Sequence, residues 1–228
     1  MSESDNTRNI ELIRSIDSPT IANAIEAFKV RKQTEGYASS ELRCQFPELP
    51  PMVGYAVTCV ANTTSPEPTG PSRLLELFDA VAAAKKPVVV VIQHEGPSRI
   101  RSCFAGDVLC TSLLKLGVAG LATDGGVRDI SGIRRRAPGF QVFAGGLVVS
   151  HGLPQYLKVN VPVSIFGLEV RPGDLLHGDE SGLVSVPLEI VDALAEQAKA
   201  VLKKESDYID FLNGVSWSLE DLKYRITH

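Results

Sequence analysis

The chain is short of several features that would mark common classes. It has no basic excess: 23 Lys and Arg stand against 27 Asp and Glu, for a formal net charge of −4 and a pI near 5.6. That balance weighs against a polyanion-binding surface, so no nucleic-acid partner is expected. Long hydrophobic runs are missing too. The longest, Pro87-Val88-Val89-Val90-Val91-Ile92, has the length of a buried strand and falls far below the roughly 20 residues of a membrane helix. No membrane partner is expected. Residues 1–15 lack the basic start and apolar stretch of a secretion signal, which points to the cytoplasm. The four cysteines, Cys44, Cys59, Cys103 and Cys110, form no CxxC pair, and ordinary buried thiols fit them better than a disulfide or metal framework. No Walker A loop, GxGxxG, HExxH or GxSxG is present, so nucleotide folds, zinc hydrolases and serine hydrolases have no support. His94, His151, His177 and His228 lack ligand spacing and read as structural or solvated.

What is there describes a globular domain. Of 228 residues, 44% are hydrophobic, and 19 Gly with 14 Pro are near average usage, which excludes disorder and collagen-like repeats. Length favours one domain over 1–228. Ser18 and Pro19 open a helix, with Ser18 as cap, and the apolar spacing over 72–84 and 107–116 gives two more. Gly117 suits a helix C-cap. Strands are expected at Gly54–Ala61, Val88–Ile92, Val118–Thr123, Phe140–Phe143, Val148–Val149, Val161–Phe166 and Leu183–Val186. Pro187 opens a long amphipathic helix. Residues 31–52, with Pro47, Pro50 and Pro51, read as an irregular excursion. A βαβαβ centre followed by unaccompanied strands makes an α/β domain with a mixed sheet or a second layer of strands.

The densest chemical signal is Gly106-Asp107-Val108-Leu109, a helix start, together with Asp124-Gly125-Gly126-Val127-Arg128-Asp129, a strand end. Such places carry ligands in α/β proteins. Unused N–H groups at Val108 and Leu109 suit a carboxylate or oxyanion. Arg128 suits the same carboxylate in bidentate fashion, and Asp107 and Asp129 offer hard oxygens for Mg²⁺. The plainer alternatives are an early-helix acid at Asp107, a DGG turn and a surface Arg–Asp pair. Arg134-Arg135-Arg136 reads as a solvated face. His177–Gly182 reads as turns around a short strand.

The stretch AGDVLCTSLLKLGVAGLATDGGVRD, Ala105 to Asp129, resembles the core of the RraA-like family, which contains the regulator of ribonuclease E activity A and 4-hydroxy-4-methyl-2-oxoglutarate aldolase. Pro19–Phe28 resembles its first helix, Gly54–Val60 its GxAxT strand, Phe143–Gly146 a loop before a strand, and Asp179–Pro187 its DxxGxVxVP ending, so that residues 15–215 can be placed. The resemblance implies a three-layer swivelling β/β/α domain assembled as trimers or dimers of trimers. It also implies a lyase dependent on Mg²⁺ or Mn²⁺ that cleaves 4-hydroxy-4-methyl-2-oxoglutarate or decarboxylates oxaloacetate. In that scheme the backbone of Gly106, Asp107, Val108 and Leu109 holds the pyruvyl end and Arg128 binds its carboxylate and keto oxygen. Asp129 ligates the metal, and Asp107 orders a metal-bound water for proton transfer. Two positions depart from the aldolase pattern: Gly132 replaces an acid, and Ala144-Gly145-Gly146 replaces Ala-Arg-Gly. The alternatives are a regulator that binds a ribonuclease without chemistry of its own, and a lyase for a different oxo acid.

Overall fold

The computed structural model describes residues 3–214 and 216–227, so His228 lies outside the described residues. The fold is built around β2, Met52–Asn62, which is buried along all 11 residues. Its alternating pattern suggests one wet face, but both faces are covered. β3, Val88–His94, lies parallel to it on one edge. The other edge is shared by β10, Leu175–Asp179, and β7, Gln155–Val159, both antiparallel to β2. Two more strands, β5 (Val118–Val127) and β6 (Gln141–Leu147), extend the parallel set beyond β3. β1, Arg43–Cys44, closes one end and β11, Gly182–Val186, the other, with β4, Cys103–Ala105, attached to β5.

Strand alternation sorts the core into layers. Val88, Val90 and Ile92 face α3 (Leu74–Ala83), α4 (Asp107–Lys115) and α5 (Ile130–Arg136), through Leu77, Val81, Leu113 and Ile133. Val89 and Val91 face the opposite way, onto a hairpin of β8, Val163–Ile165, and β9, Leu168–Val170. Helices, a mixed sheet and a β-hairpin therefore make three layers, the β/β/α arrangement expected. A further cluster joins α1 (Glu3–Arg14), α2 (Ser18–Glu26) and α6 (Val191–Leu212) to β10 and β11. A last helix, α7, runs over Leu219–Thr227.

Several local expectations are corrected. The polar start of the chain forms α1, because Ile10 and Ile13 recur at helical spacing and are fully buried. The cap of α2 is Asp17, whose Oδ1 accepts the Thr20 N–H at 2.9 Å, and Ser18 is the first helical residue. Asp124-Gly125-Gly126 is not a turn. It lies within β5, where a register shift between Thr123 and Gly126 absorbs the glycines. Val148 and Val149 leave the sheet beyond β6. The expected excursion over 31–52 is irregular apart from β1 and the first residue of β2, and it is tied down by Arg31, which donates to the Ser185 carbonyl and hydroxyl at 2.8 Å.

The buried pair Ser18 and His177 joins the helical cluster to β10. His177 Nε2 lies 3.0 Å from the Ile13 carbonyl and must donate to it, so Nδ1 accepts from the Ser18 hydroxyl at 2.9 Å. Asp179 accepts the Ser18 and Ser181 N–H groups at 2.6 and 2.8 Å. Burial lowers the His177 pKa from its ordinary 6.5, against smaller opposing effects that include Asp179. The folded value lies below the unfolded one. This contribution to stability is therefore complete above pH 6.5 and is lost as pH falls, because the unfolded chain takes up the proton first. Denaturant midpoints measured between pH 7.5 and 5 should fall. His177→Gln should start about 1–3 kcal/mol less stable and show a flatter acid limb. Parallel pH curves for the two chains would refute the assignment.

Candidate active site

One backbone hydrogen bond assembles the site. The Arg128 N–H donates to the Ala105 carbonyl at 2.9 Å, which ties the end of β5 to the end of β4. The chain leaves β4 through Gly106 into α4, and leaves β5 through Arg128 and Asp129 into α5. Two helix N-termini thus open side by side at strand carboxyl ends, where α/β folds bind ligands. The Cys110 N–H bonds the Gly106 carbonyl as the first turn of α4 closes. The N–H groups of Asp107, Val108 and Leu109 precede that bond and are not used by the helix.

Asp129 sits in a left-handed conformation, φ 60° and ψ 35°, uncommon for a residue with a side chain. The bend turns its carboxylate back toward Arg128, whose Nε lies 3.3 Å from Oδ2, and leaves Asp129 40% exposed to the cleft. Gly106 makes this approach possible: a Cβ there would stand 2.7 Å from Asp129 Oδ2 and 3.3 Å from Arg128 Cγ and Nε. Asp107 is more enclosed, its side chain 13% exposed, and its Oδ2 is ion-paired with Arg136 Nη1. The basic run on α5 is therefore only partly a solvated face. Arg134 pairs with Glu48 at 2.8 Å, Arg135 lines the cleft, and Arg136 meets Asp107.

Gly106, Asp107, Val108, Leu109, Arg128 and Asp129 therefore meet in one place. They border two adjoining hollows of about 480 and 630 Å³ that share Asp107, Arg128 and Asp129. The first is walled by Phe78, Phe104 and Tyr156, with His151 also lining it; the second is bordered by Gly132, Arg135 and Val148. Sequence reasoning reads His151 as structural or solvated and Arg136 as part of a solvated face. His151 is brought in by the loop after β6, and Arg136 lies one helical turn beyond Gly132, the residue packed on Asp107. Only the i, i+4 spacing on α5 could have signalled the second. Three buried groups here, Cys103, Cys110 and Tyr156, are held neutral. Burial pushes the Cys110 thiol up to about 12, with Asp107 and Asp129 adding to it, and burial likewise raises Cys103 and Tyr156.

Among the described residues, no three His, Cys, Asp or Glu side chains stand together. A cage for zinc is thus not what the site offers. Its donor set is one accessible carboxylate, Asp129, with Asp107 nearby, which fits Mg²⁺ or Mn²⁺ bound largely through water and substrate oxygens. Gly132 has a structural reason. A Cβ on it would stand 2.8 Å from Asp107 Oδ2 and 3.1 Å from its Cβ and Cγ. An acid there would place a second carboxylate against Asp107, which Arg136 already balances.

The sequence matches the model of the RraA-like family, described as Aldolase/RraA, over residues 8–185. The chain belongs to this family. It is similar to a Halalkalibacterium halodurans protein provisionally named 4-hydroxy-4-methyl-2-oxoglutarate aldolase, 31% identical over 134 residues, covering 58% of this chain and 60% of that protein. The aligned part is thus about three fifths of the relative's length. The 4-hydroxy-4-methyl-2-oxoglutarate aldolase of Thermus thermophilus is 31% identical over 127 residues, 52% of this chain and 74% of that one. In three dimensions the fold is similar to that of Streptomyces coelicolor RraAS2, described as an unusual member of the RNase ES inhibitor RraA family. The TM-score is 0.67 at 21% identity, covering 90% of this chain and 96% of that one. That solved structure shares the mixed α/β architecture.

The packing of Gly132 gives a direct test. Replacing a helical glycine with alanine ordinarily adds about 1 kcal/mol of stability. Gly132→Ala should add none, because the new methyl group displaces Asp107 from Arg136. Chemical denaturation reads this, and a full gain of about 1 kcal/mol would mean that Asp107 does not rest on Gly132.

Proposed function

We propose that this RraA-like protein is a divalent-metal-dependent carbon–carbon lyase acting on small 2-oxo acids. The supporting observation is the convergence of Arg128, Asp129 and the unused N–H groups of α4 on one cleft, with Asp107 enclosed beside them. The aldolase name of the Thermus relative favours the same chemistry. The substrates are of the 4-hydroxy-4-methyl-2-oxoglutarate type, or oxaloacetate.

Both reactions pass through the enolate of pyruvate, and their common requirement is to hold negative charge on the C2 oxygen. The N–H groups of Asp107, Val108 and Leu109 hold the substrate carboxylate at the positive end of α4. Arg128 binds that carboxylate and the keto oxygen, and its guanidinium shares the charge that develops there. Asp129 holds the Mg²⁺ or Mn²⁺, which supplies Lewis acidity to the keto oxygen. Retro-aldol cleavage also requires loss of the C4 hydroxyl proton as the C3–C4 bond breaks. Asp107, kept in place by Arg136, orders the water that carries this proton and returns it to C3. Decarboxylation of oxaloacetate breaks C3–C4 with loss of CO₂ and needs only the proton delivery to C3.

The rim of the cleft favours self-association. Val108, Leu147 and Val149 are exposed there, Val149 by 92%, and such apolar surface is best covered by another copy of the chain. A homotrimer or dimer of trimers is the assembly we favour. The reading as a ribonuclease regulator has the shared fold in its favour, and fold alone does not fix function.

The test is pyruvate release from oxaloacetate and from a 4-hydroxy-2-oxo acid, with and without Mn²⁺. Activity should require the metal and be lost in excess chelator. Asp129→Ala should lower kcat/KM by about 10²–10³-fold with the assembly intact. Undiminished turnover in chelator, or in Asp129→Ala, would refute the proposal. Stoichiometric recovery of a ribonuclease by an inactive chain would favour the regulator instead.

A further inference from the structure

A second cleft, of about 350 Å³, opens at the carboxyl ends of β5 and β6 on the far side of Leu147 and Val148 from Arg128. It is metabolite-sized. Its wall is Phe166, at the tip of the β8–β9 hairpin. Ile165 pairs with Leu168, so Phe166 and Gly167 form a two-residue turn with φ of 47° and 83°. Turns with both central residues at positive φ favour Asn-Gly, and a bulky aromatic at the first of these positions is strained. The ring has two contacts that account for its presence. The Arg99 guanidinium lies 4.6 Å over its centroid. Gly145 packs beneath it, since a Cβ there would stand 2.8 Å from Phe166 Cζ. The arginine absent at 145 is thus excluded by Phe166, which carries a guanidinium supplied from another segment.

The contact with the ring holds the Arg99 guanidinium at the cleft. Among the described residues its one ion pair, with Glu41 at 3.6 Å, is long and lies between exposed side chains. Arg43, opposite Ala144 on β1, lines the same cleft and makes no ion pair among the described residues. Gly146 leaves the floor open, with no heavy atom within 4 Å of where a Cβ would be. Across from the arginines is Asp124, whose Oδ1 accepts the His94 N–H at 2.7 Å. Burial raises its pKa, against the opposing effects of the His94 N–H and of Arg99.

We propose that this cleft is a second ligand site, separate from the Asp107–Arg128–Asp129 cleft, that takes a small hydroxy- or amino-carboxylic acid. The ligand carboxylate lies on Arg43 and Arg99, and its hydroxyl or amino group donates to Asp124. The mixed charge of the cleft argues for this class over a phosphomonoester dianion, which has no proton to donate to Asp124 or Glu41. The inference does not depend on the lyase reading, because its test measures binding with the first cleft disabled.

The experiment is calorimetric titration of full-length Arg128→Met with succinate, malate and aspartate, which share a skeleton and differ in the donor group. Malate and aspartate should bind more tightly than succinate. Arg99→Met and Arg43→Met, each added to Arg128→Met, should weaken binding roughly tenfold or more. Asp124→Asn should bring malate and aspartate to the level of succinate. Phe166→Asn suits the turn, so it should keep the thermal midpoint while binding falls severalfold. No saturable binding to Arg128→Met, or binding unchanged by Arg43→Met and Arg99→Met, would overturn the proposal. A lower midpoint with unchanged binding in Phe166→Asn would do the same for the part assigned to the ring.

Discussion

The hydrogen bond from the Arg128 N–H to the Ala105 carbonyl is the contact on which the candidate site depends. It fastens a three-residue strand, β4, to the end of β5, so that the two helices that follow begin next to each other. Without it Gly106 would not lie under Asp129, and the N-terminus of α4 would not share a cleft with Arg128. The buried parallel strands behind it supply the rigidity: β3 and β5 have apolar side chains covered on both faces. A site held by strand ends and helix starts keeps its geometry better than one carried by loops alone.

Two of the four non-glycine residues with positive φ among the described residues lie at the two clefts. Asp129 and Phe166 both have positive φ, and each turns a functional group toward a partner: a carboxylate toward Arg128, a ring toward Arg99. Beside each stands a glycine, Gly106 in one case and Gly145 in the other, at a position where a Cβ would collide with that group. Strain at two such places is of order 1–3 kcal/mol each and persists because the surrounding sheet over-determines the chain path. The two clefts are thus built by the same device, on either side of Leu147 and Val148.

Much of this was legible in the sequence. The pairing of a helix start at Gly106–Leu109 with Arg128-Asp129 could be read from local pattern and family resemblance, and so could the three-layer class. What escaped notice depends on tertiary contact. The DGG segment has turn composition, yet pairing with β6 holds it in β5. Ser18 has the chemistry of a cap, yet His177 claims its hydroxyl and Asp17 caps in its place. Arg136 looked like one of three solvated arginines, and only the packing of α5 on α4 brings it to Asp107. Phe166 has the β propensity of a strand end and reads as one, and only the pairing of Ile165 with Leu168 puts it in the turn before Gly167.

The central claim is that one cleft holds the metal on Asp129 and the 2-oxo acid between Arg128 and the start of α4. A crystal structure of the protein with Mn²⁺ and pyruvate, located by the anomalous signal of the metal, tests it most directly. The account predicts Mn²⁺ on the Asp129 carboxylate, with the pyruvate carboxylate on the N–H groups of Val108 and Leu109 and its keto oxygen toward Arg128. Mn²⁺ or pyruvate bound elsewhere, with Asp129 still paired only to Arg128, would contradict it.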